Sequence, residues 1–146
     1  MRRCSKCEED KLEVEFYDRE RNRTGSVACI PCLKSIQRQS RRTNRYRVLI
    51  VYSQDPPSCI CCGETHFEFL TIDHINGGGE AHRKSIGGPG RTMDRWLRLN
   101  GYPDGFRVLC YNCNNAIGRY GYCPHKEETN GSVSYNRMDG AARAGL

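Results

Sequence analysis

The chain has 146 residues, 10 of them cysteine, and only 37% are hydrophobic. That disfavours a large single apolar core, because globular domains run to about 45–50% apolar with glycine counted and this chain falls below that range on the same count, so some other force must help hold the fold. The net charge of +6 is uneven: residues 1–57 carry 13 basic and 8 acidic side chains, residues 58–125 carry 7 and 6, and residues 126–146 carry 3 and 3. Excess positive charge in the first third points to an anionic partner, nucleic acid first.

The opening Met1-Arg2-Arg3-Cys4 lacks the apolar stretch of a signal peptide, and no segment approaches the roughly 18 apolar residues of a membrane span. The expectation is a cytoplasmic protein with no membrane association, in a reducing compartment that disfavours structural disulfides. The cysteines then read as metal ligands, and their spacing agrees. Four CxxC pairs occur, at Cys4/Cys7, Cys29/Cys32, Cys59/Cys62 and Cys110/Cys113, with 21 residues between the first two and 47 between the last two. Each such turn places two thiolates on one ion, and two turns complete a tetrahedral site. Pairing in chain order gives a zinc knuckle over residues 1–32 and a second zinc module over residues 58–125.

Between them, residues 32–47 contain six basic side chains and no acid. This run predicts a helix starting near Pro31, a residue favoured in the first helical turn. Lys34, Arg38, Arg41, Arg42 and Arg45 recur at steps of three and four and form one stripe, suited to phosphate contact or to a solvated face. Val48 to Tyr52 is apolar and offers a docking surface, and Gln54-Asp55-Pro56-Pro57 marks the end of a linker over residues 33–57.

The second module reads as strand, long loop, strand and short helix. The first strand runs from Phe67 to Asp73-His74, followed by a sharp Asn76-Gly77-Gly78-Gly79 turn and a Gly-rich stretch from Ser85 to Gly90. Thr92 caps a helix through Asn100, with Gly101 as its stop. Phe106 to Leu109 forms the second strand, and the final helix begins at Cys113 and ends near Gly118. Residues 126–146 are polar and read as a disordered tail. Asp73 and Asn114 offer hard oxygen ligands suited to Mg2+, and His74 could take a proton from water. His82 and Arg83 could touch phosphate or lie on the surface. Arg91, Arg95 and Arg98 share an outer helix face that contacts DNA backbone or keeps the helix soluble. Cys123 and His125 fall outside the CxxC scheme; they bind a further metal with Cys61 or His82, or pack the end of the module. No βαβ pattern surrounds any CxxC pair, which argues against dithiol redox chemistry.

Cys59/Cys62, Asp73-His74 and Cys110-Tyr111-Asn112-Cys113-Asn114 together resemble the His-Me finger, or HNH, nuclease superfamily, and within it the recombination endonuclease VII branch of phages. The resemblance spans roughly residues 58–125. It implies a small zinc-stabilised α+β fold, a ββα-metal module preceded by the knuckle and the basic helix. It also implies His74 as general base, Asp73 and Asn114 as ligands of Mg2+ or Mn2+, and DNA, branched forms included, as substrate. The setting implied is a phage-infected or prokaryotic cell. The pattern departs from the family in two places. The last helix has Asn115, Ala116, Ile117 and Gly118 where a typical HNH helix ends in a metal-binding His, and position 76 is Asn where a second His is common. A catalytically inactive nucleic-acid-binding or assembly module is therefore the alternative. One site nicks one strand, so double-strand cutting calls for a homodimer or two events.

Overall fold

The computed structural model describes residues 1–17 and 27–126. The tail expected over residues 126–146 lies, apart from Lys126, outside the described residues. Among the described residues, no helix is long and apolar enough to cross a membrane. The described residues form a small α+β structure with two two-stranded sheets and cysteine clusters at their ends.

The N-terminal part is a two-residue ladder, β1 (Arg2–Arg3) against antiparallel β2 (Asp10–Lys11). Its core is Cys4, Phe16, Ala28 and Cys29, with Cys7, Cys32 and Leu33 packed around them. So small an apolar cluster cannot stand alone, which is the situation in which a metal replaces a core.

Helix α1 (Ile30–Val51) begins on Cys29 as N-cap, with Pro31 in its first turn. It extends past the basic stripe because Val48 and Leu49 complete it. Both are fully buried, and they point into different clusters: Leu49 joins Cys59, Leu70, Val108 and Leu109, while Val48 joins Met93 and Leu97. The C-terminal end of α1 is thus wedged into the second module, as the apolar run suggested. Burying one such Leu contributes about 1.5–3 kcal/mol.

The second module is built on strand β3 (Leu70–His74), paired antiparallel with β4 (Phe106–Cys110) from Leu70↔Cys110 to His74↔Phe106. The strand is shorter than its sequence suggested. Phe67–Phe69 forms a 3-10 turn instead, because Phe67 stacks on Tyr46 and lies under the Arg42 guanidinium, a tertiary preference that alternation does not reveal. Helix α2 (Gly79–Ser85) occupies part of the segment read as loop, and α3 (Arg91–Leu99) follows. Helix α4 (Tyr111–Tyr120) starts two residues earlier than expected and runs past Gly118. Cys110 is its N-cap, its sulfur accepting from the Cys113 N–H at 3.5 Å, and Gly121 at φ 80° supplies the left-handed stop.

Candidate functional site

Two groups of four cysteines come together, Cys4/Cys7/Cys29/Cys32 and Cys59/Cys62/Cys110/Cys113, with all sulfurs of each group within 4.8 Å of one another. Thiolates at about 2.3 Å from a tetrahedral zinc lie about 3.8 Å apart. The Cys7–Cys29 sulfurs are 4.0 Å apart and the Cys62–Cys110 sulfurs 3.7 Å. Both groups could therefore hold a metal ion of zinc's size and taste for sulfur. Backbone N–H groups point at individual sulfurs, from Lys6 and Cys29 onto Cys4 at 3.4 and 3.2 Å. Burial pushes the Cys4 thiol up, but these donors outweigh it and bring it down to about 6. Burial likewise raises Cys59, and backbone donors from Cys62, Cys110 and Cys61 return it to about 7. The crowding acts the other way on Cys32, which the neighbouring Cys29 thiol and burial push up to about 12. A cation relieves that conflict by accepting all four thiolates at once.

The Asp-His dipeptide at the end of β3 is split by the pleat, which sends successive side chains to opposite faces. Asp73 faces its cross-strand partner Arg107, whose Nε donates to Asp73 Oδ2 at 2.7 Å. His74 faces Phe106, with ring centroids 4.7 Å apart. Its Nε2 lies 2.8 Å from His82 Nδ1, one ring donating and the other accepting. His82 stands edge-on to Trp96, centroids 4.3 Å apart, and its buried Nε2 has no hydrogen-bond partner among the described residues. Burial first, then the charges of His82 and Arg83, hold the His74 imidazole below its ordinary 6.5, with Asp73 opposing. A neutral ring at neutral pH is able to accept a proton. Gly79 borders this imidazole: a Cβ there would sit 2.8 Å from His74 Nδ1 and 3.0 Å from Arg83 Nη1. Its φ is not positive, so the glycine is there for space.

His74 and Asn114 line the same cleft, of about 1070 Å³, between α1, α3 and the β3–β4 hairpin. Among the described residues seven arginines share it, Arg41, Arg42, Arg45, Arg83, Arg91, Arg95 and Arg98, against a single acid, Asp94. Low-dielectric walls lined with one sign of charge concentrate the field within such a cleft. Asp94 is buried and held by Arg45 Nη1 at 2.9 Å, so it offsets one of these charges and leaves the other six arginines in excess.

The predicted residues therefore separate. Arg41, Arg42, Arg83, His74 and Asn114 line the cleft; Lys34 and Arg38 are exposed on α1 but lie outside it, as does Asp73. Arg45 differs from the rest of the stripe: it pairs with Asp94 and also donates to the Leu70 carbonyl at 2.9 Å, tying α1 to α3 and β3. Arg42 is shared between the cleft and an exposed ion pair with Glu68. His82 stands edge-on behind His74 and does not line the cleft. The wall formed by Arg91, Arg95 and Arg98 was visible in sequence as a helix face, whereas no spacing signals the His74–His82 pair or the Asp73–Arg107 pair. A third group, Cys61/Cys113/Cys123/His125, shares Cys113 with the second cysteine group. The chain matches no protein-family model, no curated protein and no solved structure.

Proposed function

We propose that the protein is a metal-dependent DNA endonuclease of the His-Me finger type, stabilised by zinc on its two four-cysteine groups. The observation that carries this reading is that a neutral-biased His74 and Asn114 open into a cleft walled by seven arginines. Phosphodiester hydrolysis needs a base for water and cationic groups for the phosphate, and both are present on one surface.

Apart from Arg45, which Asp94 and the Leu70 carbonyl engage, the arginines bind and orient backbone phosphates, without regard to sequence and with affinity that falls steeply in salt. His74 takes the proton from the attacking water. For that, its Nε2–H donates to His82 Nδ1, which leaves Nδ1, beside Gly79, as the proton acceptor. His82 is then a positioning residue that selects the tautomer. Trp96 and Phe106 keep water away from the pair. Asn114, with water and phosphate oxygens, would hold Mg2+ or Mn2+, which supplies charge stabilisation at the leaving 3′ oxygen when bound; Asp73 would have to leave both Arg107 and its face of β3 to join it.

The Asp73–Arg107 ion pair favours a second reading, a zinc-stabilised nucleic-acid-binding or assembly module without turnover, because it engages one of the two expected cation ligands. Plasmid nicking by the zinc-loaded protein, with and without added Mg2+ or Mn2+, separates the two. The nuclease should nick only with the added ion, and His74→Ala should lose about 10²–10⁴ in rate while keeping zinc content and DNA affinity. Equal cleavage by His74→Ala would remove it as the base. DNA binding without nicking under either ion would leave the binding-module reading in place.

A further inference from the structure

We propose that Cys61, Cys123 and His125 hold a second zinc ion directly beside the Cys59/Cys62/Cys110/Cys113 site, with the Cys113 thiolate bridging the two ions. The seven ligands come from three stretches of chain: the knuckle at residues 59–62, the start of α4, and the turn Pro124–Lys126 with Cys123 just before it. Cys113 belongs to both groups and is completely buried. Its sulfur lies 3.3 Å from His125 Nδ1, and the Cys123 sulfur lies 3.3 Å from the same nitrogen. Sulfur and imidazole nitrogen on one tetrahedral zinc are separated by about 3.6 Å, so a small outward shift admits the ion.

Packing alone does not account for this arrangement. Cys61 and Cys123 would serve as core side chains, and Cys123 is buried accordingly. His125 is exposed, however, and an exposed imidazole has water for its hydrogen bonds. Here its Nδ1 is turned inward onto two sulfurs at once. The charge balance also favours a second ion. Zinc on four thiolates leaves two negative charges, and a second zinc that adds two thiolates and a neutral imidazole leaves that total unchanged. Soft thiolates with one imidazole select zinc over Mg2+ or Ca2+. The bridged pair would clamp both ends of α4, the helix that carries Asn114, and it stands whether or not the protein cleaves DNA.

Native mass spectrometry of the full chain loaded with zinc alone tests the proposal. The expected count is three zinc ions for the wild type and two for the double variant Cys123→Ser/His125→Ala, with unchanged circular dichroism. His125→Ala alone, at an exposed position, should weaken the third ion in competition with a chelator and leave the other two. Zinc X-ray absorption should show a zinc–zinc shell within about 4 Å, a spacing typical of paired metals, and the double variant should lack it. A zinc count that the double variant leaves unchanged, or a wild type without that shell, would overturn the bridged site.

Discussion

In the cysteine clusters each pair of ligands comes from one turn of chain, whereas in and around the cleft the polar pairs join separate elements. Cys59 and Cys62 are three residues apart in sequence, and so are Cys110 and Cys113. His74 meets His82 across a turn, Asp73 meets Arg107 across the hairpin, and Arg45 meets Asp94 across two helices. Local spacing can specify a ligand set before the chain folds. It cannot specify an ion pair that exists only once β3, α3 and α1 have packed. The clusters should therefore act as the foundation and the cleft as the adjustable part, and the two should fail in different ways.

The sharpest break lies in the foundation. Cys110→Ser removes one zinc ligand at the junction of β4 and α4, while the Ser hydroxyl can still cap the helix. A structural zinc contributes about 10–16 kcal/mol, as much as the whole stability of a typical domain. Cys110→Ser should lose zinc and all slow hydrogen exchange across β3, β4 and α4. Cys7→Ser should cost the N-terminal zinc yet leave exchange in that hairpin slow. If both variants melt both regions, the clusters are not separate foundations.

The next break lies in the cleft wall. Arg41, Arg91 and Arg95 are exposed and line it. Converting all three to Gln should lower the salt slope of DNA binding by roughly one unit per lost phosphate contact, while zinc content and Tm hold. Arg45→Gln should instead lower Tm, because its guanidinium bridges Asp94 and the Leu70 carbonyl. An unchanged slope in the triple variant would assign these arginines to solvent.

A smaller change separates stability from positioning. Gly79 lies in the first turn of α2, where Ala is intrinsically the better helix former by up to about 1 kcal/mol. The added Cβ would meet the His74 ring at 2.8 Å and force it aside. Gly79→Ala should leave Tm little changed, the helix gain offsetting part of the cost of the displaced ring, while cleavage falls by up to about 10²-fold if the ring moves 1 Å. A variant as active as the wild type would show that the His74 position is not what the glycine protects.

How much of this was legible follows the same division. The two cysteine groups, the basic helix, the apolar end of α1 and both strands could be read from spacing and pattern. The 3-10 turn at Phe67 could not, since its cause is Tyr46 and Arg42 on another element. Helix α2 was hidden because the glycines that precede it read as loop, although Glu80 to Ser85 is an ordinary helical turn. Arg45 belonged to the stripe by spacing and was withdrawn from it by the buried Asp94. His82 was read as a phosphate contact or a surface residue, whereas it lies behind His74 and outside the cleft, a pairing hidden because α2 was read as loop.

The smallest predicted effect concerns Asp94, the one acid in the cleft. Burial raises its carboxyl above the ordinary 3.8, and the Arg45 guanidinium pulls it only part of the way back. Folding then favours the protonated form. The associated stability is fully present below the unfolded pKa and is lost as pH rises through the higher folded one. Asp94→Asn removes that titration but keeps the shape and an acceptor for Arg45, which also retains the Leu70 carbonyl. Compared at each pH, so that thiolate protonation affects both proteins alike, the two should melt together in acid. The Asn variant should then gain on the wild type, by a few degrees at most, as pH rises toward neutral. This outcome would mean that desolvation outweighs the ion pair, as is common for buried charges. A wild type that gains on the variant over the same range would show that Arg45 and Asp94 stabilise the fold as a charged pair.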